Sequence, residues 1–311
     1  MQPKPLSKAK QSGPIDLRMV RSLFAHPGRV AESAFLRREI STRMHERLEL
    51  IKIVPQQILD AGCGEGSDLT LLQKRFADAH VVGLDASPAM LAAARREQQA
   101  ASSALQRMLK KWLPTKPGVA PEGGVGLLCS DFAALPLGAK AVDIIWSNLA
   151  LHWHPQPDRV FAEWRRVLRL NGLLMFSCFG PDTFKELRTA FAVVDELPHA
   201  LSFVDMHDFG DMLTGSGFST PVMDMETITV TYDTTDKLLA DVRAWGGNPL
   251  STRRRGAVGR AAWARMLQEL ESQRRPDGKI PLTFEIIYGH AFRPAPRFKR
   301  ADELAAPLGP A

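Results

Sequence analysis

Cysteine is scarce. Cys63, Cys129 and Cys178 are the only three in 311 residues. Their number is odd and no two form a CxxC pair, which argues against a disulfide framework. Each sits in or beside an apolar, strand-like run, so reduced, buried thiols are expected, in a reducing compartment such as the cytoplasm. Metal-ligand spacing is also missing. His152 and His154 are two apart, but no cluster elsewhere in the sequence completes a set, so no metal is expected. No apolar run reaches the ~18 residues of a membrane span. The basic, polar segment before Asp16 has no apolar h-region, against a secretory signal. It has too few Ser and Arg for a transit peptide. Lys plus Arg is 40 and Asp plus Glu is 34, a net charge of +6. That mild excess suits an acidic macromolecular partner and equally suits none. The cationic residues are not interleaved with aromatics, and no RNA-binding module is visible, so no nucleic-acid partner is expected.

What is present is alternation of strand and helix. Residues 1–15 carry Lys, Pro, Ser and Gly and read as a mobile tail. Residues 16–50 have helical spacing, broken by Pro27-Gly28 into two helices that precede the first strand and could cap a site. Strands follow at 57–60, 80–85, 125–129, 142–147 and 172–179. Helices are expected from Ser67 to Phe76, from Ser87-Pro88 onward and from Pro157 to Arg169. The strands are nearly continuous apolar runs, as in a parallel sheet covered on both faces. Residues 97–124 fit no tight turn and read as an inserted helix with a loose loop. Beyond Gly180 come helices at 183–197 and 207–216, then a strand at 223–232 whose alternation marks an exposed antiparallel edge. A helix at 235–245, a basic segment at 253–275 and a last strand at 282–290 follow. Residues 51–180 thus read as a nucleotide-binding core and 181–292 as the substrate-side part of the same domain. Residues 293–311, with four prolines, read as a disordered tail.

The chemistry gathers at Asp60-Ala61-Gly62-Cys63-Gly64-Glu65-Gly66, between the first strand and its helix. Glycines let backbone approach a ligand and adopt positive φ, and the carboxyl end of a strand is where α/β sheets bind cofactors. Asp85 ends the next strand, where an acid can accept hydrogen bonds from both hydroxyls of a ribose. A dinucleotide-binding loop would face a pyrophosphate. Asp60 and Glu65 flank the glycines here, and their charge would repel a pyrophosphate while suiting an amino group and a sulfonium. S-Adenosylmethionine is therefore favoured over NAD. Asp131 and Phe132 follow the third strand. The carboxylate could accept the adenine amino group and the ring could pack on it; a helix cap and plain core packing are the other readings. Asn148 to Trp153 follows the fourth strand, at the expected mouth of the substrate site.

Together the stretches LDAGCGEG, VVGLDASPAML, SDFAALPL, VDIIWSNLALHW and RVLRLNGLLMFSCFG resemble class I S-adenosylmethionine-dependent methyltransferases over about residues 57–180. The resemblance implies a Rossmann-like α/β fold: a mostly parallel seven-stranded sheet, one antiparallel strand in its edge region, helices on both faces. It implies cofactor contacts from Asp60, Gly62, Cys63, Gly64, Gly66, Asp85, Ala86, Asp131, Phe132 and Asn148. The segments 179–188, 206–211 and 221–232 and the helix LRREISTRMHERL are similar to malonyl-[acyl-carrier protein] O-methyltransferases of biotin synthesis. That implies methylation of the free carboxylate of a malonyl thioester on an acyl carrier protein. Two departures stand out: Phe24 to Phe35 holds no tyrosine where many members have one, and the 97–124 insertion is absent from compact members. The tail also resembles complex I assembly proteins that hydroxylate an arginine. The SNxALxW stretch is shared with small-molecule carboxylate methyltransferases. A malonyl carboxylate is ionised near pH 7 and needs no base. A cation could hold it; Arg188 is the candidate, with a solvated surface arginine as the alternative. His152 could hydrogen-bond the acceptor or serve structure alone. The arginines at 253–255, 260, 265, 274 and 275 offer a basic face to an acidic carrier, or form a solvated helix face.

Overall fold

Strand formation follows the apolar runs closely. A computed structural model describes residues 13–31, 33–101, 125–245 and 247–295. Three helices come first: α1 (Leu17–Leu23), α2 (Pro27–Ala31) and α3 (Ala34–Glu49). Strand β1 (Gln57–Ala61), α4 (Ser67–Arg75), β2 (His80–Asp85), α5 (Pro88–Ala101), β3 (Val125–Cys129) and β4 (Val142–Ser147) follow. Then come α6 (Pro157–Val167), β5 (Leu168–Phe179), α7 (Lys185–Ala192), α8 (Met206–Gly215) and β6 (Ser219–Tyr232). The chain continues as α9 (Thr235–Ala244), α10 (Arg260–Ser272) and β7 (Ile280–Phe292).

The seven strands form one sheet in the order β3-β2-β1-β4-β5-β7-β6. Neighbours from β3 to β5 are parallel. β7 runs antiparallel to β5 on one side and to β6 on the other. β7 is buried along most of its length, whereas β6 alternates half-buried and exposed residues as the edge strand. The strand order reverses between β1 and β4. That switch point opens a crevice at the carboxyl ends of the strands, the place where open α/β sheets take ligands.

Helix α3 borders the crevice through Arg37 and also packs on the sheet. Leu36, Ile40, Met44 and Leu48 recur every fourth residue and are at most 1% exposed, packed on Ile58, Trp146, Met175 and Tyr288. Each such burial is worth roughly 1.5–3 kcal/mol. Its polar side reaches the sheet edge: Arg43 pairs with Glu226, and Arg47 pairs with Asp224 while stacking on the Tyr288 ring at 3.9 Å. α3 is therefore a packed layer on the sheet, while α1 and α2 overhang the crevice.

Several boundaries differ from the sequence expectation. The break expected at Pro27-Gly28 lies just before it, Pro27 itself opening α2 as suits a first helical turn, and a second break gives three helices where two were expected. Residues 13–15 do not belong to a tail: Ile15 is buried and bridges Leu250, and Ser251 N–H donates to the Pro14 carbonyl. Arg293 is likewise fixed, donating to the Arg165, Arg166 and Leu168 carbonyls. Residues 1–12 and 296–311 of the two expected tails lie outside the described residues. So do residues 102–124 of the expected insertion, while residues 97–101 complete α5. Cys63 and Cys178 are buried, but Cys129 is exposed at the end of β3, because that strand lies at the sheet's other edge. No helix among the described residues is long and apolar enough to cross a membrane.

Candidate active site

The crevice at the switch point is a cavity of about 780 Å³, its open mouth included. The loop after β1 forms its floor. Gly62 N–H and Cys63 N–H both donate to the Leu84 carbonyl, drawing the loop against β2. Gly62 has φ +86°, and a Cβ there would stand 2.3 Å from the Ala150 Cβ, so only glycine fits. Gly64 has φ +54° with nothing near the absent Cβ. At Gly64, then, bare backbone faces the open space.

Asp85 lines the cavity where β2 ends. Its Oδ2 accepts from Gly64 N–H at 3.0 Å and its Oδ1 from Ser87 N–H at 2.8 Å. Burial raises its carboxyl pKa. Each carboxylate oxygen has two lone pairs, so one acceptor site per oxygen remains for a vicinal diol. Val20 and Arg21 from α1, Phe24 just after it and Val30 from α2 close the top. Ser87 Oγ ties this lid down by donating to the Phe24 carbonyl at 2.8 Å.

A second chamber of about 830 Å³, mouth included, adjoins the first. Trp153, Phe179 and Trp245 line both. Phe184, Leu187, Phe191, Phe203, Leu239 and Trp263 make the rest of its wall largely apolar. One polar side is braced: His199 stacks on Phe191 at 4.1 Å and bonds Asp195, which also accepts from Arg254.

A methyltransferase domain model matches residues 59–176. The malonyl-[acyl-carrier protein] O-methyltransferase of Laribacter hongkongensis is 45% identical over 269 residues, covering 86% of this chain and 86% of that protein. The enzyme of the same name from Gallionella capsiferriformans is 45% identical over 293 residues, covering 92% and 94%. This chain belongs to the malonyl-[acyl-carrier protein] O-methyltransferase family.

Solved structures share the fold at much lower identity. The Bacillus halodurans protein BH2331 aligns with a TM-score of 0.56 at 15% identity, covering 82% of this chain and 99% of that one. The YcgJ protein of Bacillus subtilis aligns with a TM-score of 0.53 at 14% identity, covering 81% and 98%. The cofactor of this methyltransferase is S-adenosylmethionine, and the cavity fits it: bare glycine backbone, the half-buried Asp85 carboxylate and an aromatic, Phe132, line one space.

Of the residues the sequence singles out, Gly62, Gly64, Asp85, Ala86, Phe132, Asn148 and His152 line the cavity. Asp60, Cys63, Gly66, Asp131 and Arg188 do not. Asp60 is 1% exposed beneath the loop. Burial first, then Asp68 and Asp85, push its carboxyl pKa well up. Glu65 does line the cavity, and its carboxylate is paired with Arg37 at 2.9 Å. Of the two acids that flank the glycines, one is therefore buried away from the cavity and the other borders it as half of an ion pair. Cys63 is a buried thiol with its pKa raised, chiefly by burial. Asp131 turns to its own loop, accepting from Ala133 N–H at 2.9 Å, with Arg21 3.7 Å away.

Asn148 borders the cavity but its side chain is committed elsewhere. Its Nδ2 donates to the Arg37 carbonyl and to Asp68 Oδ2, and its Oδ1 accepts from Ser177. Leu149 next to it holds φ +49°, a strained turn pinned by Ser177. Arg188 is a correction: its guanidinium donates to the Thr183 and Pro181 carbonyls, because the loop after β5 turns back over it. It braces that loop and reaches neither space. Sequence order carries no sign of the role of Asp68, since an acid in a first helical turn is ordinary. Asp68 accepts from Ser41, Trp146 and Asn148, joining α3, α4 and β4 under the site. The same holds for Trp245, since only folding carries it to the junction.

Proposed function

We propose that this protein transfers a methyl group from S-adenosylmethionine to the free carboxylate of a malonyl thioester on acyl carrier protein, a step of biotin synthesis. The observation that carries the reading is the apolar chamber opening off the cofactor cavity, in a chain 45% identical to malonyl-[acyl-carrier protein] O-methyltransferases over most of its length. A chamber lined by six or more aromatics suits a long acyl-thioester arm. The relatives' names favour this acceptor over an arginine side chain or a small free carboxylate.

The cofactor supplies an electrophilic methyl on a sulfonium. The chain's residues position and desolvate. A malonyl carboxylate arrives ionised at neutral pH, so no general base is needed. None is offered at the junction, since burial lowers the His152 pKa to about 3. Asp85 and the glycine backbone fix one partner. Trp153, Phe179 and Trp245 exclude water around the other, so that alignment lowers the barrier. Arg253, Arg255, Arg260 and Arg265 are exposed and make no ion pair among the described residues. They lie just before and along α10, whose Trp263 lines the chamber. An acidic carrier would be steered there, raising the association rate more than the final affinity.

The test is direct. Protein incubated with methyl-labelled S-adenosylmethionine and malonyl-acyl carrier protein should place label in a base-labile ester on the carrier. Normal cofactor binding without that ester would overturn the reading.

A further inference from the structure

The junction of cavity and chamber holds buried donors that the fold leaves unused. Trp245 borders both spaces and is 6% exposed, yet its indole Nε1–H has no partner among the described residues. His152 borders the cavity and is 3% exposed, and neither of its ring nitrogens has a partner there. Its ring lies against Trp153, Phe179 and Phe203, the wall toward the chamber. A buried polar group without a partner is costly, so such groups in a native protein call for an account. His45 and Trp164 also carry unpartnered ring nitrogens, but neither borders either space.

The cations nearby are engaged or peripheral. Arg37, 5.9 Å from the Trp245 ring, spends its guanidinium on Glu65, Ser33 and the Val30 carbonyl. Arg188 is held on carbonyls, and Arg243 is exposed at the rim of the chamber. We propose that Trp245 Nε1–H and a ring N–H of His152 hold the acceptor's carboxylate at the junction, as a selectivity site for an anionic acyl terminus built from neutral donors.

This inference rests on the malonyl reading above. Burial keeps His152 uncharged at neutral pH, so one ring nitrogen carries a proton to donate. Neutral donors orient a carboxylate without supplying a counter-ion. A bidentate arginine would engage both oxygens and draw charge from the attacking one. A neutral acyl terminus leaves both N–H groups unpaired, and a site built to hydrogen-bond its substrate rejects an analogue that lacks the partner.

Trp245→Phe and His152→Phe each remove the N–H and keep a ring. Each should raise KM for malonyl-acyl carrier protein about 10- to 100-fold, the loss of one hydrogen bond to a charged group. The inhibition constant of acetyl-acyl carrier protein should rise at least about fivefold less than that KM, so that preference for the anionic terminus is what falls. If KM stays at the wild-type value in both variants, or acetyl-carrier inhibition weakens in step with KM, the inference falls and the malonyl reading stands. If the wild-type protein methylates no malonyl carrier and binds malonyl and acetyl carriers alike, both fall.

Discussion

The cofactor cavity and the aromatic chamber share Trp153, Phe179 and Trp245, but they are built differently. The cavity's polar floor is backbone and two carboxylates, Glu65 and Asp85, set at the ends of adjacent parallel strands within residues 62–87. The chamber is side chains, brought from α7, α9, α10 and the loop at 199–203 onto one wall. Backbone recognition is fixed by the fold and suits a cofactor common to many enzymes. Side-chain recognition can be rewritten without moving the sheet, which suits the choice of acceptor. The difference explains why one sheet can serve many acceptors while keeping one cofactor.

Changes on the two sides should therefore separate. Asp85→Ala removes the diol acceptor and frees the Gly64 and Ser87 N–H groups it holds. S-Adenosylhomocysteine affinity, measured by calorimetry, should fall at least about 100-fold, two charge-assisted hydrogen bonds being lost. Unchanged affinity would mean that the ribose is held elsewhere. Trp263→Ala opens the chamber wall without touching the cavity. Its KM for the acyl carrier should rise about 10-fold from lost apolar contact, with cofactor affinity unmoved. A matching loss of cofactor binding would erase the distinction between the two spaces. A double variant, Arg253→Ala with Arg255→Ala, should lower kcat/KM for the carrier about threefold at low salt and not at high salt, as expected for steering. Salt-independent loss would place these arginines in the bound interface instead.

The smallest effect concerns Asp60 beneath the cavity. Its folded pKa is raised by burial and by Asp68 and Asp85, above the ordinary unfolded value near about 3.9. Between those two values the folded chain binds more protons than the unfolded chain. Its contribution to stability is thus whole below the unfolded pKa and declines as pH rises toward the folded one. Asp60→Asn removes that titration. Without cofactor, its melting temperature relative to wild type should climb as pH rises from 4 to 7, by roughly 2–4 °C for each kcal/mol. A flat difference would show that Asp60 is ionised and paired in the folded protein.

Much of the sheet was legible because its strands are buried on both faces and read as unbroken apolar runs. The edge position of β6 was legible too, since a half-exposed strand must alternate. The first two glycines of the loop and Asp85 were legible because their demands are local: positive φ, no Cβ, an acid at a strand end. Arg188 misled because its position past β5 suggested a roof. Only the turn of residues 181–183 shows that its donors face carbonyls. The surroundings of Asp60 and Glu65 were not legible for a related reason. Charge is written in the sequence, but burial and the Arg37 partner are not.

The sequence by itself determined the alternating architecture, the strand ends and the cofactor's backbone floor, because hydrophobic period and glycine conformation act over a few residues. Tertiary structure alone decided that Asp60 is buried and Glu65 paired, that α3 is a packed layer, and that Trp245 meets His152's aromatic wall at one junction. Those outcomes depend on which distant side chains exclude water from one another, and burial of that kind has no signature in local order.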